Sequence, residues 1–443
     1  MINQNSTKVF TSYFSYILIT LLIANGLNVY AQNKFRDITD FSLYQNKYPW
    51  SISKELLEKK PPYALPNTNF DEALVPKYNL PDIFKLKNGL KVENIDTWEH
   101  HRRNELLDLF CSEIFGVAPP KPDNLIFKID KLDSVTLGGK ATYKSISISF
   151  KLKAESFKFN FELFVPNDRQ GNVPVFLLFN HRNLDQADLT NKYEAEYWPV
   201  EYIINRGYAI GIINLADEVD PDSPVANSGI RVFYQKNYEI PGELSWGTIS
   251  AWAWGGSRVV DYLETDTDIN AEQIAIVGHS RGGKTALWAG AQDTRIALVI
   301  PNNAGDAGTS LVRRRFGNTI EVMTGRNPHW FSSKYSSYAG KEETMPVDQH
   351  MLIALVAPRG YHAGDGSEDL WHDPRGSWLA LVEASKVWKM YGNAFEMKDE
   401  MPWVNSLFKN GPIAYHIREG GHGLLLYDWK LYLDHADSYF FRK

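Results

Sequence analysis

Short apolar runs recur along the second two-thirds of the chain and predict β-strands. A continuous apolar run is typical of a strand covered on both faces, and an alternating run of a strand with one polar face. These patterns predict strands at residues 157–166, 173–179, 208–215, 274–277, 298–301 and 413–417, and one that begins at 352–356 and is completed before Asp365.

Longer stretches between these runs carry apolar residues at helical spacing. They predict helices at residues 98–115, 249–263, 283–292, 378–391 and 427–440. Short strands that alternate with helices indicate a mostly parallel sheet between two helical layers, a three-layer α/β sandwich. No internal repeat or low-complexity tract interrupts the pattern, so we expect one folded domain over residues 96–443. Residues 32–95 are rich in Pro, Asn and Lys, which favours an extended N-terminal segment that packs on this domain.

The first 31 residues have the pattern of a secretory signal. Lys8 supplies the positive charge, residues 16–27 are mostly apolar, and Ala31 ends a small-residue cleavage site before Gln32. The apolar run is short for a bilayer span, and no other segment is apolar enough to cross one. We therefore expect an exported protein, periplasmic or secreted, with no membrane association after cleavage; the alternative is an uncleaved membrane anchor.

Composition narrows the partners of this 443-residue chain. Its formal net charge is −6 and its basic residues are scattered, which argues against nucleic acid as a partner. Cys111 is the single cysteine, so an internal disulfide is excluded. We expect this thiol to be structural and buried in the helix predicted at 98–115.

A G-x-S-x-G motif lies at residues 278–282, with Ser280 at its centre. The apolar strand at 273–277 precedes it and a helical stretch at 283–290 follows it. Such a strained strand-to-helix turn presents a Ser hydroxyl at the head of a helix, where amide dipoles favour negative charge. The motif in this context predicts an α/β-hydrolase fold with Ser280 as the nucleophile.

A Ser nucleophile needs a His base from later in the chain, oriented by a carboxylate. His422 lies between glycines directly after the strand at 413–417, where a loop can bring the imidazole over Ser280. Other histidines fit less well. His350 is expected before a strand, His362 within one, and His372 in the loop that should carry the acid.

The acid is expected in the loop at 364–373, because the order in this fold is Ser, acid, His. Asp365 lies too close to the end of the predicted strand. Asp373 precedes Pro374 and is expected to cap the following helix. Glu368 and Asp369 remain as alternatives on this reasoning.

Several segments together resemble the glucuronoyl esterases, carbohydrate esterase family 15, from about Trp98 to the end of the chain. Their combination is far more specific than G-x-S-x-G alone. The segments lie at residues 246–255, 278–284, 328–331, 348–350, 369–374 and 420–422.

This resemblance implies an esterase that cleaves 4-O-methyl-glucuronic acid on xylan from lignin-type alcohols. It implies a polysaccharide substrate, no metal and no cofactor, and we expect a monomer. Asp369 is the acid that the resemblance implies, and Arg281 helps to hold the oxyanion. The substrate contacts that the resemblance implies are Lys284, Trp371, Gln349 and Asn318.

Two departures from the family pattern affect specificity. Many members carry a Glu after the strand that follows the nucleophile helix, whereas this chain has Asn302 and Asn303. Asn318 also stands where bacterial members tend to have Glu. Alternatives are therefore a carbohydrate esterase for another acyl group, such as acetyl-xylan or a methyl-esterified uronate, and a carbohydrate-binding relative with weak catalysis. A zinc hydrolase is disfavoured because H-E-x-x-H spacing is absent.

Overall fold

The computed structural model describes residues 41–58, 64–182, 196–238, 245–393 and 396–441. The chain divides into two compact units, Met1–Gln45 and Asn46–Lys443. Only residues 41–45 of the first unit are described, and Ser42–Tyr44 there forms a 3₁₀ turn. The predicted signal and its cleavage site lie outside the described residues.

A sheet forms the centre of the second unit. Its described strands are β1 Ile126–Thr136, β2 Ala141–Leu152, β3 Glu155–Pro166, β4 Val173–Asn180, β5 Ala209–Asn214, β6 Ile269–His279, β7 Leu298–Asn302, β8 Gly360–Gly366, β9 Ser406–Asn410 and β10 Ile413–Arg418. Their order is β1-β2-β3-β5-β4-β6-β7-β8-β10-β9. The strands from β5 across to β10 are parallel, and the strands at both edges are antiparallel. The loops that follow the parallel strands therefore meet at one edge of the sheet.

Helices cover both faces of this sheet. The described α-helices are α1 Lys54–Glu58, α2 Ile95–Thr97, α3 Arg103–Phe110, α4 Val200–Asn205, α5 Ile230–Asn237, α6 Thr248–Leu263, α7 Arg281–Gln292, α8 Ile320–Arg326, α9 Gln349–Ala354, α10 Pro374–Met390 and α11 Leu426–Phe440. Successive residues of β6 enter opposite cores: Ile276 packs in one hydrophobic cluster and Val277 in another. The three-layer α/β architecture expected from the sequence is confirmed. Among the described residues, no helix combines the length and the apolar character that a bilayer crossing requires.

The helix predicted at 98–115 is present and contains two π-helical turns. Trp98–Arg102 and Cys111–Phe115 are π-helical and flank α3. Cys111 is half-buried, and desolvation raises the pKa of its thiol to about 12. The thiol is therefore protonated at neutral pH, consistent with a structural role.

The apolar run at 352–356 was predicted as a strand and is not one. It lies in α9 and in the turns that follow, and β8 begins only at Gly360. The helix is buried on all sides, so its sequence lacks the polar face that distinguishes a helix from a buried strand. His350 therefore lies within a helix rather than before a strand.

Candidate active site

Ser280 occupies a sharp turn between β6 and α7. Its backbone has φ +58° and ψ −123°, a conformation that non-glycine residues adopt rarely and mostly at functional sites. Its N–H donates to the Asn302 carbonyl at 2.9 Å. A Cβ at Gly278 would lie 2.0 Å from the Gly282 carbonyl oxygen, so the turn closes only because position 278 is glycine. The strand-to-helix turn predicted from the motif is present, with Ser280 at the N-terminus of α7.

Asp369 and His422 are brought together by the loops after β8 and β10. His422 Nδ1 lies 2.8 Å from Asp369 Oδ2, and the Asn303 amide donates to the same oxygen at 2.8 Å. His372 Nδ1 lies 2.9 Å from the other oxygen. Asp369 is only 5% exposed, and burial alone would raise its pKa. The neighbouring His372 and His422 outweigh burial and hold the pKa well below its ordinary value, so the carboxylate is charged.

His422 lies between two other imidazoles. Its ring is stacked on His372 at 4.2 Å with an interplanar angle of 6°, and lies 4.3 Å from the ring of His279. Burial lowers the pKa of His372 to about 4, against the attraction of Asp369, so this ring is neutral at pH 7. Burial and the neighbouring His422 lower the pKa of His279 as well. Of the three rings, His422 is the one with a side chain 33% exposed, and it can accept a proton from a group in the cleft.

The other carboxylates of the acid loop lie elsewhere. Glu368 is exposed, and its backbone N–H donates to the Gly420 carbonyl. Asp365 accepts from the Tyr415 hydroxyl at 3.0 Å, and burial raises its pKa well above the ordinary value. Asp373 caps α10 through the Gly376 N–H at 2.9 Å, with Pro374 in the first turn, as predicted. Among the described contacts, Asp369 is thus the carboxylate bonded to His422.

An open cleft of about 510 Å³ lies in front of these groups. Its lining contains cations, imidazoles and one hydroxyl: His181, Arg182, His279, Ser280, Arg281 and His422. Within the described residues, this lining includes no carboxylate.

Arg281 is fixed beside Ser280 by a residue that the sequence reasoning missed. Its guanidinium pairs with Asp222 and lies 4.7 Å from the centre of the Trp330 ring. Asp222 also accepts from the Trp330 indole at 2.7 Å and contacts His329 at 2.8 Å. Burial would raise the pKa of Asp222, but His329 and Arg281 hold it low, so its charge is available to Arg281. The Nε of Arg281 is buried and has no hydrogen-bond partner within the described part of the chain.

Two of the expected substrate contacts are buried side chains. Lys284 is 2% exposed, and its ammonium donates to the carbonyls of Ala304 and Asp306. Burial lowers the pKa of Lys284, against the attraction of Asp306. Gln349 is fully buried at the start of α9 and donates to the Gly308 carbonyl at 3.4 Å.

The other two expected contacts, Trp371 and Asn318, lie together. Trp371 is 8% exposed and packs on Phe70, with ring centres 6.4 Å apart. Its carbonyl accepts from the Asn318 N–H at 2.9 Å. The structure therefore places Ser280, Arg281 and His422 in the cleft lining, and leaves Lys284, Gln349, Trp371 and Asn318 outside it.

One described cluster of donor atoms could hold a metal ion. It comprises Asp369, His372 and His422, whose candidate ligand atoms lie within 4.8 Å of one another. Both imidazole Nδ1 atoms face the carboxylate at hydrogen-bond distance, so a proton in each contact satisfies the cluster.

Comparison with known proteins gives one family. A family model described as glucuronyl esterase from fungi matches residues 148–392. A carbohydrate esterase from an unknown prokaryotic organism is 39% identical over 406 residues, which are 85% of this chain and 93% of that protein. A 4-O-methyl-glucuronoyl methylesterase of Cerrena unicolor is 31% identical, over 72% of this chain and 64% of that protein.

Solved structures agree. The glucuronoyl esterase from Solibacter usitatus superposes with a TM-score of 0.77 at 34% identity, covering 83% of this chain and 99% of that one. A promiscuous esterase of carbohydrate esterase family 15 from a marine bacterial metagenome gives 0.76 at 39% identity, covering 84% and 99%. The chain therefore belongs to the glucuronoyl esterases of carbohydrate esterase family 15, a family of carboxylic ester hydrolases with the α/β-hydrolase fold.

Proposed function

We propose that this protein is a serine esterase that hydrolyses esters of (4-O-methyl-)glucuronic acid on xylan, including esters with lignin-type alcohols. One observation carries the proposal. Ser280, in a strained turn at a helix N-terminus, lines the same cleft as His422, and His422 is bonded to a buried, charged Asp369. This is the combination of nucleophile, base and orienting acid that acyl transfer requires.

The proposed reaction proceeds through an acyl-enzyme. Ser280 Oγ attacks the ester carbonyl carbon while His422 Nε2 takes the hydroxyl proton. The tetrahedral oxyanion is stabilised by Arg281 and by amide dipoles at the start of α7. Collapse breaks the C–O bond, and His422 returns the proton to the departing alcohol. Water then repeats the sequence, with the proton passing through His422, and releases the uronic acid.

Asp369 has an electrostatic part in this scheme. It holds the His422 tautomer with Nδ1–H toward the carboxylate and Nε2 free for Ser280, and its charge stabilises the imidazolium. Asn303 stands where many family members carry an acid, and here it donates to Asp369 instead. The Asn303 amide thus stabilises a carboxylate, that of Asp369, which comes from the loop after β8.

The proposed substrate is a polysaccharide, and the relatives support the uronate as its acyl part. The Cerrena unicolor relative is named a 4-O-methyl-glucuronoyl methylesterase. Lys284, Trp371, Gln349 and Asn318 are proposed as groups that shape the sugar site from behind the lining. We propose export to the periplasm or medium, action as a monomer without cofactor, and cleavage of residues 1–31.

Residues 32–95 are proposed to be part of the catalytic assembly rather than a separate domain. The Trp50 indole donates to the Ser367 carbonyl at 3.0 Å, beside the acid loop. Phe70 packs on Trp371 in the same region. These contacts support the proposal for the part of the segment that belongs to the second unit, from residue 46 to residue 95.

The test compares benzyl glucuronate with 4-nitrophenyl acetate, using the wild-type protein and Ser280→Ala. We expect the wild type to prefer the glucuronate ester. Loss of the nucleophile should lower turnover of both esters by about six orders of magnitude with the fold intact. A Ser280→Ala protein that retained a tenth of the activity would exclude Ser280 as the nucleophile.

A second candidate is an esterase with a broader range of acyl groups. It is favoured by the solved relative at 39% identity, which is described as promiscuous. Asn318, in place of the Glu expected in bacterial members, removes one charged contact to the sugar. Equal catalytic efficiency on the acetyl and glucuronate esters would favour this candidate over the first.

A further inference from the structure

The loop that carries His422 has little stiffness of its own. Glycines occupy positions 420, 421 and 423, and Gly420 has φ +98°. A Cβ at Gly421 would meet no atom within 4 Å, so the space on the side-chain side of this residue is open. Glycine loses more conformational freedom on ordering than any other residue, so this loop needs an external restraint to hold one geometry.

Arg418 provides contacts on both sides of His422. It is the last residue of β10 and is 1% exposed. Its Nη2 donates to the Gly421 carbonyl at 3.1 Å and to the Gly423 carbonyl at 2.8 Å. One guanidinium nitrogen thus bridges the two residues that flank the imidazole.

Asp428 anchors this guanidinium to α11. It is fully buried, and both of its oxygens accept from Arg418 Nε, at 3.1 and 3.0 Å. It also accepts from the Leu425 N–H at 2.7 Å and lies 2.8 Å from His416 Nε2. Burial would raise the pKa of Asp428, but the Arg418 charge keeps it low. The pair is therefore ionised, and its hydrogen bonds are charge-assisted.

Arg418 lies where two loops meet: the base loop, residues 419–425 between β10 and α11, and the acid loop, residues 364–373. Its carbonyl accepts from the Ser367 N–H at 2.7 Å, and the Gly420 carbonyl accepts from the Glu368 N–H at 3.0 Å. These bonds come directly before Asp369 in the chain. Displacement of the base loop would consequently change the distance between His422 and Asp369.

We propose that Arg418, anchored by Asp428, is a positioning residue for catalysis that fixes His422 against Asp369 through the Gly421 and Gly423 carbonyls. The proposal rests on the proposed role of His422 as the base. Arg418 is outside the cleft lining described above, so it acts through His422 and not on the substrate. Lysine cannot replace it, because a single ammonium lacks the planar fork that reaches Asp428 and both carbonyls at once.

The test is Arg418→Lys, which keeps the buried positive charge beside Asp428 and removes the fork. We expect kcat on benzyl glucuronate to fall about 100-fold, because displacement of a catalytic group by about 1 Å has that effect. KM should change by less than about threefold, since the substrate contacts are retained.

Arg359→Lys is the matched control. Arg359 also forks onto backbone carbonyls, but it does so at the amino end of β8, where its partners are Gly290, Asp293, Ile296 and Leu355. We expect this variant to lose a comparable amount of thermal stability and to keep its kcat. If Arg418→Lys lowered kcat no more than Arg359→Lys does, Arg418 would be structural and the proposal would be overturned.

A double variant separates positioning from general damage. In a His422→Ala background, Arg418→Lys should lower the residual turnover of 4-nitrophenyl acetate no further, because the group it positions is gone. A full additional 100-fold loss would show that Arg418 acts by another route and would overturn the proposal.

A readout without substrate keeps this test separate from the proposed function. Solvent exchange of the His422 Nδ1 proton, followed by NMR on histidine-labelled protein, should be slow in the wild type and in Arg359→Lys. It should be fast in Arg418→Lys. Equal exchange in all three proteins would overturn the positioning role even if both esters proved to be poor substrates.

Discussion

Asp369 accepts hydrogen bonds from two imidazoles. Its oxygens face His422 and His372 at 2.8 and 2.9 Å, and Asn303 adds a third donor. Three hydrogen-bond donors stabilise the charged form of this buried carboxylate, so it stays ionised without a permanently charged partner. In the proposed mechanism, Asp369 therefore keeps its place against His422 throughout the reaction.

Asp369 and its neighbour Glu368 should respond differently to the loss of their charge. Asp369→Asn should lower kcat by about 10⁴-fold, because an amide stabilises the wrong imidazole tautomer. Glu368→Gln should remain near wild type, since its side chain is exposed. Turnover of benzyl glucuronate across pH checks both. The reverse pattern, with Glu368→Gln inactive and Asp369→Asn active, would refute the assignment.

The hydrogen bond from His372 to Asp369 should contribute to catalysis. His372→Phe keeps a flat ring on His422 but removes a donor to a charged group, so kcat should fall roughly 10- to 100-fold. His372→Asn keeps a donor near the position of Nδ1 and should retain most of the activity. Steady-state kinetics on both esters separate the two variants. If both lost activity equally, the ring stack rather than the donor would be the important feature.

The loops after β8 and β10 form one unit at the scale of elements. The two strands are parallel and in register up to Arg418 and Gly366. A Cβ at Gly366 would lie 2.3 Å from the Gly421 carbonyl oxygen and 2.6 Å from that of Gly420. The acid strand thus approaches the base loop as closely as a glycine backbone allows.

Gly366→Ala should consequently separate acid and base. A backbone carbonyl cannot rotate away as a side chain can, so the base loop must shift. We expect kcat to fall about 100-fold, with a smaller loss of thermal stability. Gly325→Ala is the control, because a Cβ there meets nothing within 4 Å and alanine suits α8. If Gly366→Ala had the same kcat as Gly325→Ala, or if its crystal structure showed an unshifted base loop, this account would be contradicted.

The sequence predicts the central strands and the turn at Ser280 because their signals are local. Buried parallel strands are continuous apolar runs, and the turn needs Gly278, Ser280 and Gly282 at fixed spacing. The strand predicted at 352–356 was wrong because a fully buried helix has no polar face to mark its period. The long hairpin strands β1 and β2 were not predicted. β1 is mostly exposed at a sheet edge, and its apolar residues do not alternate strictly with polar ones.

The partners of the site residues are harder to predict than the residues themselves. Asp222 lies 59 positions from Arg281 in the chain, and the fold alone brings them together. Arg418 and Asp428 belong to no motif that the sequence reasoning recognised. The contacts that orient the site depend on which loops meet, and composition and periodicity do not encode that information.

The stability of the folded protein should decrease in acid, and the buried His372 is one cause that can be measured. Its pKa of about 4 lies below the ordinary value of about 6.5 for an exposed imidazole. Between these values the unfolded chain binds a proton that the native protein does not. The contribution of His372 to the free energy of unfolding is therefore complete above pH 6.5. As the pH falls toward 4, this free energy decreases by roughly 3 kcal/mol in all.

Urea unfolding between pH 7 and pH 4 checks this linkage. The free energy of unfolding of His372→Asn should fall less over this range than that of the wild type, by roughly 3 kcal/mol. Parallel curves for the two proteins would show that His372 is protonated equally in both states.

The half-buried thiol of Cys111 has a consequence for anyone who wishes to attach a probe to this protein. With a pKa of about 12, only about one molecule in 10⁴ carries a thiolate at pH 8. We therefore expect Cys111 to react slowly with maleimides and mild oxidants. A single cysteine introduced on the rim of the cleft should therefore be labelled selectively, so a fluorophore there could report on binding of the proposed substrate without replacement of Cys111.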